Sequence, residues 1–333
     1  MRTPLVKLAL FVAVAAIAGA VPTGAQDAGL LQRRAQVCDD PTESMTLFAK
    51  RIGKRKFGYG LTPRSVSIPG PTIEMTEGEC LQVTLVNDTN RRLSMHTHGV
   101  DYTVASDGTP LNSSCVRPGR SRTYVFQAHM PATRTDGTID AGSAGYFHYH
   151  DHCLGTPHGT GGINKGLFGA LVVRQPGDPQ PARTCVLVMI KTTFNLKKAP
   201  NTPSCRSNLG DRVEFVVIGH GNLLHTFHLH GHRWSDNRTG MPAGAGDSTP
   251  IIDNKVVGPA DSFGFQVIAG EHVGPGAWMY HCHVQDHSDA GMAGVFVVRT
   301  EQGLLTKQTV EALAAFEQEH GGQAHDGHTS RDS

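Results

Sequence analysis

An all-β fold in two related halves is the architecture this chain predicts, and three observations carry the prediction. Glycine and proline are abundant, at 39 and 19 residues, and only 18% of the 333 residues are charged, a balance that favours short strands and turns. Runs rich in Val, Phe and Thr recur at Leu81–Val86, Arg122–Ala128, Leu167–Val173, Arg212–Ile218, Phe263–Ile268 and Ala293–Val298, with Gly, Pro, Asn and Asp clusters between them. The third observation is a repeat. MHTHG at 95–99 echoes FHLHG at 227–231, YFHYHDH at 146–152 echoes MYHCHVQDH at 279–287, and GLFGALVVR at 166–174 echoes GMAGVFVVR at 291–299. The spacings from His96 to His228, His98 to His230 and His148 to His281 are 132, 132 and 133 residues, as an internal duplication requires. On this alignment Tyr149 stands where the second copy has Cys282, so only the second half offers a thiolate.

The chain divides accordingly. Residues 1–25 have a basic start at Arg2 and Lys7, an apolar run from Leu8 to Ala20 and small residues up to Ala25, the pattern of an export signal. The apolar run is short for a membrane span. A first domain is expected over 38–175 and a second over 183–303, joined by RQPGDPQPAR at 174–183, a semi-rigid Pro-rich spacer. Residues 304–333 form a tail: helical periodicity in LLTKQTVEALAAFEQEH, which ends at His320, then the polar stretch GGQAHDGHTSRDS; His320, His325 and His328 in this region are expected to be solvated. Export implies a compartment that permits disulfides, so a secreted or periplasmic location is expected. Setting Cys282 aside leaves six cysteines for three bridges, with Cys185–Cys205 the pair available inside the second half and the others open. A net charge of +1 gives no reason to expect nucleic acid or a membrane surface as partner.

The chemistry concentrates in Tyr280–Met292, YHCHVQDHSDAGM. Side chains alternate along a strand, so His281 and His283 share one side and Cys282 faces the other. Cys282, His287 and Met292 supply a thiolate, an imidazole and a weak thioether, lacking one further His to complete a blue-copper set. His225 fills that place, because it precedes His228 by an odd number of residues and so faces the Cys282 side. A buried free thiol beside surface histidines, or a zinc site, is the competing reading. Four His-x-His pairs, His96/His98, His148/His150, His228/His230 and His281/His283, offer eight imidazoles for a second metal group.

These motifs, HTHG, HYH, HTFHLH and HCHVQDHSDAGM, resemble the four copper-binding motifs of multicopper oxidases, and the layout is similar to the two-domain small laccases of bacteria. The resemblance covers nearly the whole chain after residue 25. It implies two cupredoxin-like Greek-key β-barrels and four coppers per functional unit. His225, Cys282, His287 and Met292 would hold the type 1 copper, and His96 and His228 the type 2 copper. His98, His148, His150, His230, His281 and His283 would hold the type 3 pair. It further implies one-electron oxidation of phenols or aryl amines coupled to reduction of O2 to water, with Cys282 on the electron path. Asp107, in SDGTPLNSSCVRPG, resembles the acid that the family places beside the type 2 copper, although Asp-Gly is also an ordinary turn. Tyr102 is a second candidate near the cluster, with a packed aromatic as its plainer reading. His152, His158 and His232 are candidates to orient ligands; His129, His220 and His272 have no assigned role. Each domain supplies two His pairs, so the domains must meet face to face, either within one chain or between chains, and the resemblance implies a homotrimer with the cluster between subunits. A metallo-oxidase acting on Cu(I), Mn(II) or Fe(II) is the alternative. A copper nitrite reductase, which would carry its thiolate in the first domain, and a non-catalytic copper carrier fit less well.

Overall fold

The computed structural model describes residues 37–38 and 40–321. The expected export signal and the polar tail beyond Gly321 lie outside the described residues. The first half contains β1 (Glu43–Ile52), β2 (Lys56–Gly60), β3 (Ile73–Thr76), β4 (Cys80–Asp88), β5 (His96–Thr97), β6 (Ser121–Gln127), the small hairpin β7 (Ala132–Thr133) and β8 (Ile139–Asp140), β9 (Gly145–His150) and β10 (Phe168–Arg174). The second half contains β11 (Arg183–Ile190), β12 (Thr193–Phe194), β13 (Cys205–Asn208), β14 (Arg212–His220), β15 (His225–Leu229), the pair β16 (Trp234–Ser235) and β17 (Ile251–Ile252), β18 (Asn254–Val257), β19 (Ser262–Ile268), β20 (Gly276–Cys282) and β21 (Ala293–Arg299). Every run expected to be a strand is one.

The duplication is plain in the sheet order. The first half builds β2-β1-β4-β6 and β3-β10-β9-β5; the second builds β12-β11-β14-β19 and β13-β21-β20-β15, extended by β18. Within each half one parallel pair closes each sheet, β1 with β4 and β3 with β10, then β11 with β14 and β13 with β21. Two sheets facing each other enclose one core per half, around Tyr59, Tyr124 and Phe126 in the first and Phe215, Phe227 and Phe265 in the second.

A third apolar cluster joins the halves. Tyr146, Phe168, Ala170 and Val172 of the first pack on Val188, Val216 and Ile218 of the second. This explains why β10 is buried at every residue: one face lines its own barrel and the other lies against the neighbouring sheet. At the edge of this seam Glu214, fully buried, accepts two hydrogen bonds from the Arg174 guanidinium at 2.8 and 3.0 Å and one from the Tyr146 hydroxyl at 2.8 Å. Thr184 and Gln266 also donate to it, at 3.0 and 3.2 Å. The Pro-rich segment is therefore more than a spacer. Arg174 anchors its start, and Asp178 within it accepts from Arg238 at 2.7 Å.

The disulfides are Cys38–Cys80, Cys115–Cys153 and the expected Cys185–Cys205, leaving Cys282 as the free, buried thiol. Beside short helices α1 (Thr160–Ile163) and α2 (Gln285–Asp289), helix α3 spans Lys307–Gly321. It starts later than the apolar pattern because Thr306 caps it, its Oγ1 accepting the Thr309 N–H at 3.1 Å. His320 ends the expected helical run and does lie in this helix, but it is half-buried with its ring on Phe316 at 4.6 Å rather than solvated. No helix among the described residues is long and apolar enough to cross a membrane.

Candidate metal centres

Strand β20 separates two centres by parity. Its Cys282 points inward, with Sγ 3.8 Å from His225 Nδ1 and 3.5 Å from His287 Nδ1. Met292 is fully buried in the same core. Its backbone ties the group together, because its carbonyl accepts from the Cys282 N–H at 3.1 Å and its N–H donates to the His287 carbonyl at 3.0 Å. Burial, then the neighbouring His287 ring, pushes the His225 pKa down to about 4, so the imidazole is neutral with a lone pair free. A soft sulfur donor, two imidazoles and a thioether in an enclosed site fit copper.

On the opposite face of β20 lies the second group. Register pairs His228 of β15 with His281, and His230 Nε2 lies 3.2 Å from His281 Nε2. The His283 ring sits 5.2 Å from that of His281 and 5.4 Å from that of His228. His228 and His281 each donate Nδ1–H to a backbone carbonyl, of Asp253 at 2.8 Å and of Cys282 at 2.9 Å. That leaves Nε2 as the metal-facing atom, the usual anchoring of a ligating imidazole.

The first half reproduces this geometry, in a register that corrects the sequence alignment. His96 pairs with His150 as His228 pairs with His281, and Tyr149 pairs with Thr97 as Tyr280 pairs with Leu229. His98 Nε2 lies 3.2 Å from His150 Nε2, matching His230 and His281. The His152 N–H donates to Ser94 Oγ at 3.0 Å, and the His283 N–H donates to Thr226 Oγ1 at 3.0 Å. Asp151 N–H reaches the Leu167 carbonyl at 3.0 Å, as Cys282 N–H reaches that of Met292. Asp151, not Tyr149, is thus the counterpart of Cys282, and His150 with His152 is the counterpart of His281 with His283. His148 falls opposite Met279.

Ring anchoring agrees. His96, His150 and His152 donate Nδ1–H to the carbonyls of Asp107, Asp151 and Pro157, at 2.7, 2.9 and 2.6 Å, whereas neither nitrogen of buried His148 has a partner. His96, His98 and His150 bring ligand atoms within 4.8 Å of one another, as do His228, His230 and His281. Among the described residues no ring of the first-half group touches one of the second-half group, so the eight imidazoles form two half-sites within one chain. His230 and His283 are exposed.

Asp107 does lie beside its expected neighbour. Its carbonyl holds His96, Oδ1 lies 3.7 Å from His96 Nδ1, and Oδ2 accepts from Thr109 and, at 2.6 Å, from Asn112. Asp253, which motif reading missed, repeats the arrangement with Oδ1 3.8 Å from His228 Nδ1. It sits in no repeated motif, and only strand pairing brings it there. The Tyr102 ring stands edge-on to His96 at 6.0 Å and also packs on Phe126 at 6.2 Å. His232 holds the His230 carbonyl at 3.0 Å, and the His158 ring lies 5.9 Å from that of His152. His129 is bound to Asp101 at 2.7 Å, away from both groups.

Comparison with known proteins agrees with this geometry. Two family models, both described as multicopper oxidase, match residues 65–178 and 178–302. A probable nitrite reductase-hydroxylamine oxidoreductase fusion protein of Kuenenia stuttgartiensis is 31% identical over 266 residues, spanning 73% of this chain and 29% of that protein. Ceruloplasmin of Homo sapiens is 26% identical over 276 residues, spanning 70% and 24%. The chain thus covers less than a third of the length of these relatives. Among solved structures, the blue copper oxidase from Nitrosomonas europaea superposes with a TM-score of 0.56 at 24% identity, covering 78% of this chain and 86% of that one. A copper nitrite reductase from the same organism gives 0.58 at 19%, covering 80% and 100%. These likenesses carry the fold, a pair of cupredoxin-like barrels. With family models matched in both halves over an enclosed thiolate centre and two imidazole half-sites, the chain belongs to the multicopper oxidase family, copper-dependent oxidoreductases.

Proposed function

We propose that the protein is a laccase-type multicopper oxidase, coupling one-electron oxidation of phenolic or aryl-amine substrates to the four-electron reduction of O2 to water. The observation that carries this reading is the parity of β20, which sets Cys282 in one centre and its neighbours His281 and His283 in the other. His225, Cys282, His287 and Met292 are assigned the type 1 copper, and His96 and His228 the type 2 copper. The type 3 pair is assigned to His98, His150, His152, His230, His281 and His283, so His152 takes the place the sequence gives to His148. Bound copper supplies storage for four electrons, matching one-electron donors to a four-electron acceptor. The chain supplies the rest. Cys282 links the two centres through a few covalent bonds, burial favours the neutral form of His96, His98, His150, His225 and His281, and Asp107 is placed to pass a proton beside His96. Copper counts test the assignment: His152→Ala should lose type 3 copper, and full retention would overturn it.

The half-sites are proposed to be completed by a neighbouring subunit, in a head-to-tail homotrimer. Support comes from their separation within one chain and from exposed apolar residues beside both, Val104 (70%) and Leu111 (90%) near Asp107, Leu224 (65%) and Val256 (63%) near His228. Mixing a His96→Ala chain with a His281→Ala chain should restore activity, because some shared sites then draw all eight ligands from intact halves. Absence of recovery in mixed oligomers would reject the arrangement.

Three disulfides favour a secreted or periplasmic location. Oxidation of a metal ion is the second reading, favoured by a recess of about 360 Å³ in which Asp289, Glu319 and His320 gather near the His287 loop. Comparing turnover of Fe(II) or Mn(II) with that of a phenol separates the two. A copper nitrite reductase fits less well, since the free thiol lies in the second half.

A further inference from the structure

Two of the buried imidazoles outside the ligand set proposed above, His148 and His220, touch each other. His220 ends β14, is 2% exposed and belongs to the second domain, yet its ring meets that of His148 edge-on at 4.8 Å and that of His150 at 5.5 Å. His148 in turn lies against His98 with ring centroids 4.0 Å apart and planes tilted by 33°. Phe168 closes the remaining side of His220 at 5.6 Å. Neither nitrogen of His148, nor Nε2 of His220, has a hydrogen-bond partner, so packing rather than polarity is what these rings contribute. Burial comes first in holding both pKa values down, that of His220 to about 3.

We propose that His148 and His220 form a brace, one ring from each domain, that fixes the ring planes of His98 and His150 and so positions the first domain's half of the type 3 pair. The geometry explains how. At 4.0 Å the His148 ring opposes rotation of His98 about its Cβ–Cγ bond, and the His220 ring, at 76° to that of His150, restricts the side of His150 away from its bond to the Asp151 carbonyl. The brace is anchored, because β14 also carries Glu214, which holds Tyr146 on the same strand as His148 and His150. The second domain of each chain therefore supports the first domain's half-site from behind, while its own half-site faces elsewhere. Both residues are positioning residues, and the inference rests on the proposed ligand set.

The test uses the full-length protein, with copper loaded against a competing chelator and type 1 and type 3 absorption read separately. His220→Ala should keep type 1 absorption while weakening type 3 copper retention about 10- to 100-fold, the usual effect of removing support behind a ligand. His220→Phe should restore retention by replacing one flat ring with another. His220→Leu carries the same expectation as Ala should the Ala chain not fold, and melting of the copper-free protein monitors folding. Unchanged type 3 retention in His220→Ala, or in Leu in its place, overturns the brace and leaves the ligand set standing. His148→Phe separates the two ideas. A brace tolerates it; loss of a whole copper there, with His152→Ala fully loaded, would instead make His148 a ligand and overturn the assignment beneath both.

Discussion

The two domains share a strand order and differ at one inward-facing cluster. Where the second has His225, Cys282 and Met292, the first has Leu93, Asp151 and Leu167, all fully buried. Asp151 does with hydrogen bonds what Cys282 is proposed to do with a metal: Oδ1 accepts the Ser94 N–H at 2.7 Å and Oδ2 the Leu154 N–H at 2.8 Å, stapling two loops to the strand. Burial raises its pKa to about 6, against the lowering effect of those bonds. One barrel position thus serves as a structural staple in one copy and a candidate electron port in the other. The flanking histidines are retained in both. The imidazole half-sites thus belong to the duplicated frame, whereas the thiolate centre depends on three interior side chains together with His287.

The sharpest way to break this comparison is Cys282→Ser, expected to abolish blue absorption and oxidase turnover while both half-sites still load copper, as spectra and metal analysis would show. The converse, Asp151→Cys, should create no second blue centre, since Leu93 and Leu167 offer no ligand. It should instead destabilise the first domain by about 1–3 kcal/mol for each amide left without its acceptor, measured by denaturant unfolding. Glu214→Ala removes two of the hydrogen bonds to buried Arg174, leaving Glu74 at 3.2 Å as its acidic partner, and should cost about 3 kcal/mol. Despite burial, Arg174 and its other donors hold the Glu214 carboxyl below its usual range. Its contribution is therefore present above the ordinary Glu range and is lost as pH falls through the lower folded-state value, so the variant should show a weaker acid-side fall in stability. The paired acids give a smaller, graded contrast. Asp107, with its side chain 17% exposed, should slow turnover about 100-fold as Asn with copper retained, whereas Asp253, 61% exposed, should cost less than about tenfold. Smallest is Thr306→Ala, which removes the cap of α3 and should cost about 1 kcal/mol, read as a small drop in melting temperature.

Much of this was legible in the sequence because strands alternate. The opposed directions of Cys282 and its two histidines, and the side on which His225 lies, follow from period two, whereas the strands are marked by Val, Phe and Thr runs between Gly, Pro, Asn and Asp clusters. The same rule explains why the proposed ligand set differs from the one the sequence suggests. In HYHDH three histidines at 148, 150 and 152 share one face, so alternation cannot choose between the first pair and the second, and matching Tyr149 to Cys282 favours the pair that strand register does not align with His281 and His283. An offset of 131 residues from His150 to His281 was as available as 133 from His148. Only hydrogen-bond pairing with the neighbouring strand decides between them. Asp253 and His220 were illegible for a different reason: each reaches its site through contacts between strands distant in sequence, and neither residue type marks such a position.

The exposed His230 and His283 bear on how the enzyme matures. In the proposed trimer, a chain not yet assembled presents unfinished chelating surfaces to solvent, able to capture stray zinc or copper before a neighbour arrives. Assembly ahead of metallation would hide them, so the sequence of those two events should govern whether newly made protein becomes competent or mismetallated.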